Sequence, residues 1–136
     1  MANNNHLIDK YIDALLVEAA LRKNELNSET ITTVYLGGGT PSLLSITQLS
    51  KLVNGLKKVF DFSDLEEFTI EVNPDDVTAY YIQQAKSLGI NRVSMGVQSF
   101  SDEDLRFINR RHTAKQATDA IHIIKEAGID NISIDL

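Results

Sequence analysis

Cysteine is absent from the 136-residue chain. The chain therefore forms no disulfide, offers no thiolate nucleophile and supplies no cysteine ligand to a metal. Positive charge is also scarce, because 13 Lys and Arg residues stand against 19 Asp and Glu residues and the net charge is −6. Bulk attraction to nucleic acid or to an anionic membrane is not expected from this balance.

Long apolar segments are missing as well. No run approaches the roughly 20 residues that a membrane-spanning helix needs. The start of the chain also lacks the basic stretch and apolar core of a signal peptide. The sequence therefore predicts a cytoplasmic protein without a membrane span. Its length and its 43% hydrophobic content indicate one globular domain with a core of its own.

Hydrophobic periodicity predicts helices that alternate with short strands. The predicted helices are 6–26, 45–60, the segment from the NPDD turn to Leu88, 101–109 and 113–127, and the predicted strands are 31–36, 68–72, 91–98 and 131–136. Strands separated by helices favour βαβ units and a parallel sheet. An open doubly wound sheet and part of a β/α barrel both fit this order.

Apolar and polar residues alternate along the last three predicted strands. One face of each strand is apolar, and the other is small and polar, with Glu71, Gln98 and Asp135 at or near the carboxyl ends. An antiparallel sheet with one wet face is an alternative, although the helical crossovers oppose it. The favoured interpretation is a parallel barrel or crevice with a polar interior, which binds ligands at the carboxyl ends of its strands.

Three consecutive glycines, Gly37 to Gly39, follow the first predicted strand at that same end. Glycine there lets a ligand approach the backbone closely and bond to its N–H and C=O groups. A tight turn from strand to helix is the alternative, although such a turn seldom needs three glycines. The run matches neither a Walker phosphate loop nor a dinucleotide fingerprint.

Five segments together resemble one known family. They are VYLGGGTPS, TIEVNPDD, GINRVSMGVQSF, LRFINRRH and NISIDL, between Ile31 and Leu136. In this order they resemble radical S-adenosylmethionine enzymes of the oxygen-independent coproporphyrinogen III oxidase and heme chaperone group. The NPDD and INRRH segments look closer to the heme chaperone branch. The resemblance implies an α/β fold of parallel β/α repeats, the central part of a partial TIM-like barrel.

The resemblance also implies a binding site for S-adenosylmethionine. The matching positions are Gly38, Gly39, Thr40, Glu71, Gln98, Arg110 and Asp135. The glycine-rich motif and Glu71 would meet the amino end of the methionine, and Arg110 would pair with its carboxylate. Gln98 and Asp135 would hold the ribose hydroxyls. These assignments agree with the chemistry, since a diol bonds well to an amide and a carboxylate, and a guanidinium suits a carboxylate.

The chain departs from the family in one respect. Family members hold a 4Fe–4S cluster with a Cys-x-x-x-Cys-x-x-Cys loop, and this chain has no cysteine. We therefore interpret residues 1–136 as one partial domain from the centre of the barrel. The cluster loop would lie upstream, and a final strand and a C-terminal domain downstream. Such a segment would be inactive alone, with no catalytic or metal-binding residues of its own, while the parent protein would be an oxidoreductase.

Three functions remain open on the sequence. The parent could carry out oxidative decarboxylation of porphyrinogen propionates in heme biosynthesis, using an electron donor. It could instead bind and deliver heme on the same fold. The chain could also be a stand-alone module that binds a small ligand and never carried a cluster. Self-association through exposed sheet edges is a further expectation, and His112 is interpreted as a surface or capping residue.

Overall fold

The computed structural model describes residues 2–27 and 29–136. Its α-helices are α1 (Ala2–Arg22), α2 (Ile46–Val59), α3 (Ala79–Ser87), α4 (Asp102–Phe107) and α5 (Ala114–Glu126). Its strands are β1 (Thr33–Leu36), β2 (Glu67–Val72), β3 (Arg92–Gly96) and β4 (Asn131–Asp135). Short 3₁₀ turns cover Lys23–Leu26, Pro41–Leu43 and Pro74–Asp76. Among the described helices, none has both the length and the hydropathy to cross a bilayer.

The four strands form one parallel sheet in the order β1-β2-β3-β4. The antiparallel alternative is therefore wrong. Each strand lies beside the strand that precedes it in the chain, so the sheet winds in one direction, as in a β/α barrel. A doubly wound sheet reverses its strand order at a switch point, and this sheet has no reversal. The prediction of parallel β/α repeats from a partial barrel is confirmed.

Local sequence signals fix several helix ends. Ser45 and Gln48 form a capping box at the start of α2, and Thr113 and Gln116 form a second one at the start of α5. In each box the hydroxyl and the Gln side chain satisfy backbone N–H groups that a helix start leaves unpaired. Just past α3, Gly89 has a φ of 105°, which a residue with a Cβ rarely adopts.

The apolar face of the sheet carries the core. Its fully buried strand residues are Phe68, Ile70, Val93 and Met95. The helices that cover them contribute Leu49, Val53, Ile82, Ala85, Ala120 and Ile124. The alternation predicted from the sequence therefore sorts the two faces correctly along β2 and β3. It places the polar residues of those strands on the face that carries no core helix.

Strand β4 is the exception to this burial. Ile134 and Leu136 belong to the predicted apolar face, but they are 37% and 75% exposed. In the described part of the chain no helix follows β4 to cover these two side chains fully. Alternation identified their face, but burial also requires a covering element.

Arg92 crosses the polar face near the amino ends of the strands. Its Nη1 donates to Thr69 Oγ1 at 3.3 Å, and its Nη2 donates to Ser133 Oγ at 2.9 Å. Its Nε lies 3.7 Å from Glu67 Oε2. The side chain thus connects β2, β3 and β4 and forms a polar floor. The carboxyl ends of the strands lie on the other side of this floor.

The unpaired edges of the two outer strands lead us to expect self-association. In the described chain, β1 and β4 each pair with one neighbour only, and an apolar cavity of about 410 Å³ runs between α1 and β1. Unpaired strand edges favour pairing with another chain. We expect sedimentation velocity to show dimers or larger species. Ile134→Lys combined with Leu136→Lys should reduce them, because lysine at an exposed edge opposes pairing.

Leu21→Lys is the control for this experiment, since Leu21 is 78% exposed on α1. It should leave the association unchanged. A wild-type chain that sediments as a monomer at high concentration would contradict the prediction.

Candidate functional site

A cavity of about 240 Å³ lies at the carboxyl ends of the strands, on the polar side of the sheet. Its lining residues are Gly39, Thr40, Pro41, Glu71, Val72, Asn73, Ser94, Gly96, Gln98, Arg110 and Asp135. Of the seven positions that the resemblance implied, all but Gly38 are in this lining. The structure therefore gathers residues from five separate stretches of the sequence around one small polar cavity.

The three glycines that end β1 have two different roles. Gly38 and Gly39 have φ values of 79° and 67°, so both lie in the left-handed region that favours glycine. Gly37 is needed for space, because a Cβ there would contact the Tyr35 ring and lie 2.9 Å from Glu71 Oε1. Only Gly39 of the three lines the cavity.

Glu71 is held by two hydrogen bonds. Tyr35 Oη donates to Oε1 at 2.8 Å, and the Gly38 N–H donates to Oε2 at 3.1 Å. Gly38 thus contributes to the site by anchoring this carboxylate. The hydrogen bond to Glu71 also raises the pKa of Tyr35, because it stabilises the protonated phenol next to a negative charge. The phenol therefore remains a donor throughout the neutral pH range.

Gln98 and Asp135 meet across the ends of β3 and β4. The Gln98 N–H donates to the Asp135 carbonyl oxygen at 2.7 Å, and Gln98 has a φ of 70°. This left-handed conformation explains why β3 ends at Gly96 rather than at Gln98 as predicted. A non-glycine residue at positive φ is strained, and such strain is common at functional sites.

Arg110 reaches the cavity from the segment between α4 and α5. Its Nη2 donates to the Gly96 carbonyl oxygen at 2.7 Å and to Asn73 Oδ1 at 3.5 Å. Its Nε is buried without a hydrogen-bond partner among the described residues. Gly96 makes room for this side chain, since a Cβ there would lie 2.9 Å from Arg110 Nη2 and 3.3 Å from Gln98 Nε2.

A chain of hydrogen bonds ties the surrounding loops together. Ser42 Oγ donates to Asp76 Oδ2 at 2.7 Å and accepts from the Asn73 N–H at 3.2 Å. Arg111 Nη2 pairs with Asp75 Oδ2 at 2.9 Å and lies 3.6 Å from Asp76 Oδ1. The loops after β1 and β2 and the segment after α4 are therefore fixed relative to one another.

Tyr81 reinforces the same arrangement from α3. Its Oη donates to the Pro41 carbonyl oxygen at 3.4 Å. Burial, together with the nearby Asp76 carboxylate, raises the pKa of Tyr81 to about 12. Its hydroxyl therefore stays protonated and serves as a donor to the glycine-rich loop.

His112 differs from the interpretation made from the sequence. It is only 3% exposed, and its Nε2 lies 2.9 Å from the Val97 carbonyl oxygen. The prediction of a surface or capping residue is wrong. The imidazole packs under the strand end and supports the backbone next to Gln98. A single histidine carries no periodicity, so its burial could not be predicted from the sequence pattern.

Sequence reasoning left out four polar or small residues of the lining, which are Pro41, Asn73, Ser94 and Gly96. Asn73 directly follows β2 at its carboxyl end, which was the available signal. The register pairs Glu71 with Ser94 and Gly96 with Asp135. Once the strands are known to be parallel, these partners become neighbours of the predicted residues.

The charges of the site define the ligand chemistry it suits. Glu71 and Asp135 carry negative charge, and Arg110 carries positive charge without an ion pair among the described residues. The three together have a net charge of −1. A ligand with cationic groups, one carboxylate and a hydroxyl-rich portion would complement them. Within residues 2–27 and 29–136, no cluster of three or more His, Cys, Asp or Glu side chains suits a metal ion.

Comparison with known proteins identifies the family. The sequence profile of the radical SAM superfamily matches residues 4–136. The chain belongs to the radical SAM superfamily. The prediction of this family from five short segments is therefore confirmed.

Two curated relatives and one solved structure are similar to this chain. It is 41% identical to the heme chaperone HemW of Lactococcus lactis over 95% of its own length and 33% of that protein. It is 32% identical to the oxygen-independent coproporphyrinogen III oxidase of Escherichia coli over 100% of its length and 30% of the oxidase. The solved structure of the Escherichia coli coproporphyrinogen III oxidase HemN superposes with a TM-score of 0.87 at 32% identity, over 97% of this chain and 30% of that one.

The chain thus spans about a third of the length of the curated relatives it matches. The resemblance to both the oxidase and the heme chaperone, which the sequence segments had indicated, is confirmed at the level of the family.

The strained backbone of Gln98 leads to a stability prediction. Glycine adopts positive φ readily because it has no Cβ. Alanine at the same φ retains the steric penalty of its Cβ. We expect Gln98→Gly to be more stable than Gln98→Ala by about 1 kcal/mol in urea unfolding. At the exposed helical position Gln83 the order should reverse, because alanine is the better helix former. Equal or greater stability of Gln98→Ala would contradict the strain assigned to this residue.

Proposed function

We propose that this chain is the S-adenosylmethionine-binding part of a radical SAM core. The observation that carries the proposal is the guanidinium of Arg110, which faces the cavity without an ion pair and keeps a buried Nε unpartnered among the described residues. Buried donors in native proteins normally have partners. A ligand carboxylate would supply both a counter-charge and acceptor atoms.

The other groups of S-adenosylmethionine match the remaining residues. Its ammonium can donate to Glu71, whose carboxylate lines the cavity between the glycine-rich loop and Ser94. Its ribose diol can bond to the Asp135 carboxylate and the Gln98 amide. The ammonium and the sulfonium outweigh the carboxylate by one positive charge, which complements the net charge of −1 on the three ionised residues.

The iron–sulfur cluster of the family does not fit the residues of this chain. Such clusters are held by cysteine thiolates, and the sequence has none. We therefore propose that the cluster ligands belong to a longer parent protein, in which this chain is the central segment of the barrel. Alone, the chain would bind S-adenosylmethionine weakly, because it lacks the iron that chelates the methionine end in the family.

For the parent protein we propose heme binding and delivery in the cytoplasm. The higher identity to the heme chaperone than to the oxidase supports this choice, 41% against 32%. Oxidative decarboxylation of a porphyrinogen is the second candidate, and the TM-score of 0.87 to the oxidase supports it. A stand-alone ligand-binding module is the third.

The protein expressed from the complete reading frame separates these candidates. We expect the Soret band of added heme to shift and sharpen relative to that of free heme, and we expect no release of carbon dioxide from coproporphyrinogen. Release of carbon dioxide with a reductant and S-adenosylmethionine would instead establish the oxidase. A complete reading frame without a Cys-x-x-x-Cys-x-x-Cys motif would favour the stand-alone module.

Ligand binding to the chain itself can be followed by NMR at millimolar ligand. We expect S-adenosylmethionine and methylthioadenosine, which lacks the amino acid portion, to shift amides around the cavity. Asp135→Ala should weaken both by about 1–3 kcal/mol, because both ligands carry the ribose. Asp130→Ala, an exposed change just before β4, is the matched control and should weaken neither. Unchanged affinity in Asp135→Ala would remove Asp135 from the site.

A further inference from the structure

Tyr35 stands beside the site without lining the cavity. In the register of the sheet it pairs with Thr69, so Glu71 is its diagonal neighbour two residues further along β2. Diagonal neighbours on adjacent strands are farther apart than direct partners, so only a long side chain bridges them. The phenol does so, since its Oη lies 2.8 Å from Glu71 Oε1.

The two oxygens of Glu71 are anchored from the same side. Tyr35 holds Oε1 and the Gly38 N–H holds Oε2, so each oxygen accepts one bond from β1 or the loop that follows it. A carboxylate has about four acceptor positions, and the remaining ones are available to the cavity that Glu71 lines. Two anchors fix the rotation of the carboxylate, which a single bond to Gly38 would not.

Gly37 makes this contact possible. A Cβ at Gly37 would collide with the Tyr35 ring and lie 2.9 Å from Glu71 Oε1, and the φ of Gly37 is not in the left-handed region. This glycine is therefore required by the Tyr35–Glu71 pair rather than by its own backbone conformation. Gly37 leaves space for the Tyr35 ring, whereas Gly38 and Gly39 adopt the positive φ values of the turn.

We propose that Tyr35 is a positioning residue that presents the Glu71 carboxylate to the ammonium group of the ligand. The proposal rests on the proposed function, because it assumes that the ligand is S-adenosylmethionine. Tyr35 acts through Glu71 and touches no part of the ligand itself. Its raised pKa agrees with a protonated phenol beside a carboxylate, and the charged groups that act on it are Glu71 and Asp135.

The first test compares two ligands. Tyr35→Phe should weaken S-adenosylmethionine about three- to tenfold in the NMR titration, the effect of losing one ordinary hydrogen bond. It should leave methylthioadenosine unchanged, because that ligand has no ammonium for Glu71 to bind. Tyr80→Phe is the matched control, since Tyr80 is 64% exposed and Tyr35 is 54% exposed. Equal weakening of both ligands, or of neither, would overturn the proposal.

The second test separates positioning from general support of the fold. In a Glu71→Gln background, Tyr35→Phe should have a smaller effect on S-adenosylmethionine than in the wild type, since the carboxylate it positions is gone. Gly37→Ala should also weaken S-adenosylmethionine, because its Cβ would crowd both the Tyr35 ring and Glu71 Oε1. Additive effects of Tyr35→Phe and Glu71→Gln would show that Tyr35 acts independently of Glu71 and would overturn the proposal.

A third measurement needs no ligand. Titration of the Tyr35 phenol by tyrosine-selective NMR should give a lower pKa in Glu71→Gln than in the wild type. An unchanged pKa would show that the pair does not form. If the pKa changes but the wild type binds neither ligand, the Tyr35–Glu71 pair is real and the proposed function is wrong. The proposed role of Tyr35 in binding S-adenosylmethionine is then overturned as well.

Discussion

The unequal faces of the parallel sheet govern the arrangement of this protein. The face with Phe68, Ile70 and Val93 is closed by helices, so the core lies entirely on that side. The opposite face cannot be buried by the same helices and carries Thr69, Glu71 and Arg92. Because all strands run in one direction, their carboxyl ends meet at one edge. The polar face and the strand ends thus coincide at a single cavity.

The polar face has two levels with different roles. Near the amino ends of the strands, Arg92 is occupied by hydroxyl groups and by Glu67, so its charge is used within the protein. Near the carboxyl ends, Arg110 has no carboxylate partner among the described residues and leaves its Nε unpaired. The same residue type therefore stabilises the sheet at one level and is available to a ligand at the other.

Rigid support surrounds the strained parts of the site. Gln98 holds a left-handed backbone conformation while its N–H bonds to the Asp135 carbonyl, and buried His112 bonds to the carbonyl of the preceding residue, Val97. Ser42 and Asp76 connect the loops on the other side of the cavity. Such contacts hold the side chains of the cavity in place, and preorganisation of this kind lowers the entropic cost of binding in general.

The sequence by itself determined the elements, the two faces of the sheet and several of the residues that line the cavity. Alternation within each strand and capping residues such as Ser45 are local, so they could be predicted without knowing which segments meet. Only the tertiary structure decided the Tyr35–Glu71 pair and the burial of His112, because these depend on strand register and loop packing. The exposure of Ile134 was likewise a tertiary outcome, since an apolar side chain is buried only where another element covers it.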